Sequence, residues 1–190
     1  LCQPLRIIYL GRLENRQKNV LILPDIVYEL KNTGLDFSML IVGDGPSRSS
    51  LEKKITAMRI GSYVKVLGGL TREIAWEYLK KAHFSIVPSV FEGFGLVVAE
   101  SMAAGVIPIC SNIEVFDWLL GKNSRLLTVS VRNAGEYAKI IKVIADNPKL
   151  YTDLQNALHK RQHDLFSPEI MVRNYLQLIT EIKSRPERTK

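Results

Sequence analysis

Two glutamates, Glu92 and Glu100, stand with seven residues between them in the segment Ser89-Val90-Phe91-Glu92-Gly93-Phe94-Gly95-Leu96 and its apolar continuation. A carboxylate accepts hydrogen bonds from two neighbouring hydroxyls at once, so Glu92 suits a sugar diol; a solvated loop acid is the plain alternative. Gly93 and Gly95 lack a Cβ, which lets the chain turn sharply and the backbone approach a ligand closely. With a helix opening at Leu96, the amides of Gly95 and Leu96 point outward from its amino end and offer a seat for a diphosphate. Glu100 then lies one turn beyond Leu96 on the same helical face and addresses the same ligand. The rest of that helix reads LVVA-SMAAG and is almost wholly apolar. An acid there is costly without a partner, which is a ribose diol, a buried base, or an arginine or lysine.

Three other loops carry candidate chemistry. Gly11-Arg12 closes a first apolar run and is followed by a polar loop and Lys18-Asn19. The planar donor fork of Arg12, the point charge of Lys18 and the amides of a helix starting after Asn19 suit phosphate oxygens; mere solvation of basic loop residues is the alternative. Gly43-Asp44-Gly45-Pro46 reads mainly as a tight strand-to-helix turn, since it lacks the third glycine of a dinucleotide fingerprint and follows the second apolar run. Gly68 and Gly69, between Leu67 and Leu70, bring the backbone to a base edge or form a plain turn. The sequence has no Gly-Lys-Ser phosphate loop, which argues against nucleoside triphosphate hydrolysis, and no Asp-any-Asp pair to chelate a metal diphosphate. The charge of such a ligand must therefore be met by cations and amides. Cys2 and Cys110 have neither a disulfide framework nor ligand spacing, His83 is isolated, and His159 and His163 lack an acid or thiol to complete a metal site. No metal is expected.

These loops need a rigid frame. Short apolar and β-branched runs alternate with longer amphipathic segments, the pattern of repeated βαβ units. The pattern predicts strands at Arg6–Leu10, Phe37–Val42, Val64–Leu67, Ser85–Val87, Ile107–Cys110 and Arg125–Val129. It predicts helices near Val20–Lys31, Ser47–Met58, Arg72–Lys81, Leu96–Ala104, Glu114–Leu120, Ala134–Asp146, Lys149–His163 and Pro168–Lys183, the last with Ser167 as N-cap. Strands this poor in polar residues must be covered on both faces. The expected fold class is α/β: a doubly wound, Rossmann-like parallel sheet of about six strands flanked by helices. In such sheets ligands bind outside the carboxyl ends of the strands, where strand order reverses, and all four loops fall there.

At 190 residues, 46% hydrophobic and 24% charged, the chain is long enough to bury one core. A single domain over residues 1–183 is expected, followed by a charged, frayed tail over 184–190. No apolar run approaches the ~18 to 20 residues of a membrane span, and LCQPLRIIYLGR lacks the features of a signal peptide, so a soluble, cytoplasmic protein is expected. The start at Leu1 suggests a segment of a longer protein. The net charge of +7 is spread over helices, without an aromatic-plus-basic ribonucleoprotein pattern or helix-turn-helix spacing. Nucleic acid is therefore not an expected partner; an anionic small molecule or membrane surface fits better.

Taken in order, these residues resemble the C-terminal, donor-binding half of a GT-B glycosyltransferase, in particular glycosyltransferase family 4, the glycosyl transferases group 1. The resemblance rests on Gly11-Arg12 with Lys18, Val42–Pro46, Pro88-Ser89, Glu92-Gly-Phe-Gly-Leu-Val-Val-Ala-Glu100 and Ala104-Gly-Val-Ile-Pro108, and covers about Leu5 to Lys183. It implies that Arg12 and Lys18 meet the donor diphosphate, Glu92 the hydroxyls of the transferred sugar, the Gly95 and Leu96 amides a phosphate, and Glu100 the ribose. Glu92, Arg12 and Lys18 form the implied catalytic set, with Gly11, Gly43, Gly69, Leu70, Pro88, Ser89, Gly93 and Phe94 completing the donor site. It further implies sugar transfer with retained anomeric configuration and no metal. The co-substrate would be a UDP- or GDP-sugar and the acceptor a saccharide or lipid-linked molecule, in polysaccharide or glycolipid assembly at the cytoplasmic face of a membrane. The N-terminal acceptor domain of that family is absent from this sequence, and the apolar residues Met171, Tyr175, Leu178 and Ile179 either face it or pack on this domain.

The chain departs from the family twice. Ser111-Asn112-Ile113-Glu114-Val115-Phe116-Asp117-Trp118 replaces a glycine pair and glutamate, leaving the acid at Asp117 or lost to Trp118, and Asn123-Ser124 replaces Asn-Gly. A non-catalytic nucleotide-sugar-binding or scaffold subunit is the alternative function. A nucleotide-sugar epimerase would need a carboxylate and histidine constellation that the sequence does not show.

Overall fold

The computed structural model describes residues 4–184, so Cys2 and the tail beyond Ser184 lie outside the described residues. Six strands, β1 (Leu5–Leu10), β2 (Phe37–Val42), β3 (Val64–Gly68), β4 (Phe84–Val87), β5 (Ile107–Ser111) and β6 (Thr128–Val129), form one sheet in the order β3-β2-β1-β4-β5-β6. Every pairing is parallel, with Ile7 opposite Met39 on one side and Phe84 on the other. Strand order reverses between β1 and β4, which makes the crevice beyond those two strands the natural ligand site.

Ten helices connect and cover the sheet among the described residues: α1 (Asn15–Lys18), α2 (Leu23–Asn32), α3 (Arg48–Ala57), α4 (Arg72–Lys80), α5 (Leu96–Ala103), α6 (Glu114–Leu120), α7 (Ser124–Leu127), α8 (Ala134–Ala145), α9 (Pro148–Phe166) and α10 (Pro168–Ser184). The strands are apolar at successive positions because both faces are buried. Leu5, Ile7 and Tyr9 of β1 join the main core with Ile26, Val27 and Leu30 of α2 and Ile141 and Ile144 of α8. Ile8 and Leu10 point the other way, into a smaller core with Val42, Ala75, Trp76 and Leu79. Each of these buried aliphatic side chains contributes about 1.5–3 kcal/mol, enough in sum to hold the strand ends rigid beneath the site.

The expected strand at Arg125–Val129 is largely a helical turn. Thr128 Oγ1 donates to the Ser124 carbonyl (2.9 Å) and Leu127 is fully buried from helical geometry, leaving two residues to pair at the sheet edge with Cys110 and Ser111. The Asn123-Ser124 turn accordingly runs from a 3₁₀ turn, Gly121–Asn123, straight into α7. The single turn α1 was not expected, and the helix foreseen from Val20 begins as a 3₁₀ turn, Val20–Ile22. Helix α10 packs against α9, and Met171, Tyr175, Leu178 and Ile179 are each about half exposed.

Candidate functional site

The loops at the switch point are laced together by backbone hydrogen bonds. Gly11 N donates to Val42 O (3.0 Å), Leu13 N to Asp44 O (2.9 Å), Ser47 N to Leu13 O (2.9 Å) and Gly43 N to Gly68 O (2.8 Å). Gly43 has φ 144°, and a Cβ there would lie 1.8 Å from the Gly11 carbonyl oxygen, backbone against backbone. Val42–Pro46 is thus the turn that lets the β1, β2 and β3 loops pack side by side. The Asp44 carboxylate accepts from Gly45 N and Arg48 Nη1, and these bonds hold its pKa below the usual range.

Tyr9, buried under the crevice, donates its hydroxyl to the Arg12 carbonyl (2.9 Å). Burial, reinforced by the charges of Glu92 and Glu14, raises the phenol pKa, so Tyr9 remains a donor. Of the amides expected to face a ligand after Asn19, two are used internally, Ile22 N by the Asn19 carbonyl (3.2 Å) and Leu21 N by the Asn15 side chain. The Glu14 carboxylate caps α1 by accepting from Arg16 N and Gln17 N, which depresses its pKa, and Leu21 N donates to Asn15 Oδ1 (3.0 Å).

Glu92 is held from several sides. Lys18 Nζ lies 2.5 Å from Glu92 Oε1, and Ser89 Oγ donates to the same oxygen (2.8 Å). Ser89 is buried, and its carbonyl accepts from the buried Ser111 hydroxyl. Val90 N donates to Gln17 O (2.7 Å), fastening the loop to α1. The loop then enters α5 through Gly95, whose φ of 82° is left-handed and whose absent Cβ would meet Phe116 Cε1 at 2.6 Å. Ser85 Oγ donates to Ser101 Oγ (2.8 Å) and Ser101 Oγ to Val97 O (2.7 Å), fixing α5 on β4. Since Val98 N is the first amide bonded within the helix, to Gly95 O, the amides of Leu96 and Val97 sit at its free amino end.

Two contiguous cavities result. The smaller, 320 Å³, is lined by Tyr9, Lys18, Ser89, Glu92 and Gly95; the larger, 1010 Å³, takes in Gly11, Arg12, Gly43, Gly69, Leu70 and Glu100. Leu10, Phe94, Leu96 and Val97 are common to both. Arg12 and Lys18 thus line different parts of one trough, whose two cavities share a wall. Pro88 is buried and Gly93 has an ordinary φ with open space where a Cβ would point; neither lines either of these two cavities. Of the glycine pair at the end of β3, it is Gly68 that has a left-handed φ (78°), while Gly69 forms part of the cavity wall. Glu100 meets Arg72 Nη2 at 3.2 Å, with Arg72 almost fully solvated. Tyr9, Arg72, Trp76 and, from distant α9, Phe166 are lining residues that sequence reading missed.

The family described as glycosyl transferases group 1 matches residues 3–161. The chain is 26% identical over 144 residues to alpha-D-kanosaminyltransferase of Streptomyces kanamyceticus, covering 76% of this chain and 37% of that protein. Sucrose-phosphate synthase from Thermosynechococcus elongatus superposes with a TM-score of 0.80 at 24% identity, over 96% of this chain and 46% of that one. Anabaena Alr3699/HepE in complex with UDP superposes equally well, TM-score 0.80 at 15% identity, over 93% and 48% of the two chains. The chain thus spans less than half of each of these proteins. With the family matched over most of its length and the fold shared with its solved structures, the chain belongs to the glycosyl transferases group 1 family.

Proposed function

We propose that this chain is the donor-binding half of a nucleotide-sugar-dependent glycosyltransferase, completed by an amino-terminal half that carries much of the acceptor site. The observation that carries the reading is the trough in which Glu92, Lys18 and the free amino end of α5 open directly onto the larger cleft holding Arg12 and Glu100. In this reading the nucleoside occupies the larger cleft, between Leu70, Trp76 and Glu100. The Arg72–Glu100 pair is exposed on the arginine side and worth only about 0.2–1 kcal/mol, so a ribose diol displaces it at small cost. The diphosphate sits at the start of α5, and the sugar hydroxyls meet Glu92. An ammonium donates three hydrogen bonds, so Lys18 can hold Glu92 and a phosphate oxygen together.

Transfer breaks the bond between the anomeric carbon and the diphosphate oxygen. The acceptor oxygen bonds to that carbon, and its proton passes to the departing diphosphate. Arg12, Lys18 and the α5 amides stabilise the charge that gathers on the leaving group, each charge-assisted hydrogen bond contributing about 1.5–3 kcal/mol. We assign the phosphate charge to these cations and amides rather than to a metal ion. Retention of the anomeric configuration completes the proposal and is read by NMR of the product. The exposed apolar face of α10 is assigned to contact with the amino-terminal half.

The test is calorimetric titration of the chain with UDP, GDP, ADP and their sugar conjugates. One nucleotide class should bind with a Kd of ~10 μM to 1 mM, or about −7 to −4 kcal/mol. Arg12→Ala should abolish it, and Glu92→Ala should remove only the increment due to the sugar. A folded chain that binds none of them refutes the donor reading.

A further inference from the structure

The turn that carries Glu92 is thinly held. Its entry is fastened to α1, where Gln17 O accepts from Val90 N and Gln17 Nε2 donates to Phe91 O (3.4 Å). Its exit is fixed by Gly95 against Phe116 and Leu119. Between the two, Glu92, Gly93 and Phe94 make no backbone hydrogen bond to any described residue. A segment with so few internal bonds can open without the rest of the fold. Two side chains hold it in place: Glu92, through Lys18 and Ser89, and Phe94.

Phe94 meets two rings from distant parts of the chain. It stands edge-on to Trp118 of α6 (6.3 Å) and to Phe166, the last residue of α9 (5.4 Å), and these two meet each other at 5.8 Å. The partners are themselves anchored. Arg161 of α9 donates from Nε to Leu119 O (2.7 Å) and from Nη2 to Trp118 O (2.5 Å), so α9 grips the backbone at the end of α6 while Phe166 grips the Trp118 ring. Edge-to-face pairs fix orientation as well as distance. Yet the triad lies at the surface, with Phe94 38% and Trp118 51% exposed. Rings left this open add little to the core; what they hold in common is the turn that lacks backbone bonds. Trp118 lines neither donor cavity, whereas Phe94 lines both, so Trp118 acts on a ligand there only through Phe94.

We propose that Trp118 is a positioning residue for the donor sugar: with Phe166 it clamps Phe94, and the clamped turn holds Glu92 at the sugar hydroxyls. The inference rests on the donor reading above and deepens it. It also gives a role to Trp118 in the segment where the sequence departs from the family pattern.

The test has two arms. Amide relaxation NMR of the unliganded 190-residue chain should find Glu92, Gly93 and Phe94 ordered, with order parameters of about 0.85 that fall below about 0.6 in Trp118→Ala, while those of Val98–Met102 stay unchanged. Calorimetry with UDP, GDP and ADP, and with UDP-glucose, GDP-mannose and ADP-glucose, should show the sugar-dependent increment reduced about three- to tenfold in Trp118→Ala. Affinity for the nucleotide alone should not change, because Phe116 and Leu119 set the start of α5 independently. Trp118→Phe keeps an edge-on ring and should restore both readouts. Trp118→Leu, which keeps apolar bulk without the ring, should behave as Trp118→Ala and guards against a loss of fold. In a Glu92→Ala chain, adding Trp118→Ala should change nothing further in sugar binding. Unchanged order parameters, no rescue by phenylalanine, an equal loss of affinity for the bare nucleotide, or a further loss on top of Glu92→Ala overturns the clamp. A wild-type chain that binds nucleotide but gains nothing from the sugar overturns the role of Glu92 and this inference with it. A wild-type chain that binds no nucleotide refutes the donor reading, and the relaxation arm then still decides whether the ring holds the turn.

Discussion

Replacing Gly95 by alanine tests whether the amino end of α5 is held where the donor reading needs it. Two costs add. The residue sits at φ 82°, a left-handed conformation that costs a residue with a Cβ about 1–2 kcal/mol. The new Cβ would also stand 2.6 Å from Phe116 Cε1 and 3.3 Å from Leu119 Cδ1, well inside ordinary contact. Both neighbours are fully buried, so neither ring nor isobutyl group can retreat into solvent, and overpacking of this kind costs about 1–3 kcal/mol. Gly95→Ala should therefore lose about 2–5 kcal/mol, which in a domain of this size lowers Tm by roughly 5–15 °C. Urea unfolding followed by tryptophan fluorescence measures the loss directly. Phe116→Leu made in the same chain should recover the steric part but none of the left-handed cost, so the double-mutant cycle separates the two. Because the shift also moves the Leu96 and Val97 amides, UDP affinity should fall even under conditions where the variant is fully folded. A stability loss under about 0.5 kcal/mol would refute the geometry on which the α5 seat depends.

Four smaller perturbations follow from the same contacts. Ser111→Ala removes the buried donor to the Ser89 carbonyl and should cost about 1–3 kcal/mol, with the sugar-dependent part of donor binding falling more than the UDP part, as calorimetry with UDP and a UDP-sugar would show. His83 is buried, accepts a hydrogen bond from Arg6 N at Nδ1 (2.9 Å) and faces the Arg6 guanidinium and the Tyr151 ring; burial first, then the Arg6 charge, lowers its pKa from 6.5. A depressed folded-state value means that the unfolded chain takes up the proton first, so this stability is full above pH 6.5 and is lost as pH falls below it. His83→Asn, which keeps an acceptor without titrating, should flatten the urea midpoint between about pH 7 and 5. Cys110 is wholly buried with its thiol pKa pushed up, so mass spectrometry should find its peptide unalkylated by iodoacetamide until denaturant is added. Saturating nucleotide should raise the unfolding free energy by about 2.7 kcal/mol at a hundredfold excess over Kd, and Arg12→Ala should abolish that increment.

The parts of the fold that could be read from sequence are those whose cause is local. Phe37–Val42 is apolar at every position but Ser38 and appears as a strand with those bounds, and Glu114–Leu120 likewise stands as read. Both owe their form to burial patterns that no distant residue overrides. Arg125–Val129 failed because Leu126, Leu127 and Val129 satisfy either period; the Thr128 hydroxyl bond to Ser124 decided for a turn. Four polar residues, Asn15–Lys18, carry no apolar period at all, and their helix exists because Glu14 caps it.

The site divides on the same line. Glu92, Gly95 and Glu100 were legible because a strand, a loop and a helix start in immediate succession leave few options for where those groups point. Glu92 reaching Lys18 across seventy-four residues was not, because that contact depends on β1 and β4 being neighbours at the switch point. Trp76 and Phe166 were invisible for a stronger reason: each belongs to a helix whose sequence says only that one face is apolar. Which apolar residues line a cleft is settled by how the crossover helix α4 and the returning helix α9 lie over the strand ends. Trp118 shows the consequence. On sequence it marks only a lost acid, yet once α9 brings Phe166 beside Phe94 it becomes a braced, half-exposed ring next to Glu92, a role that no single segment encodes.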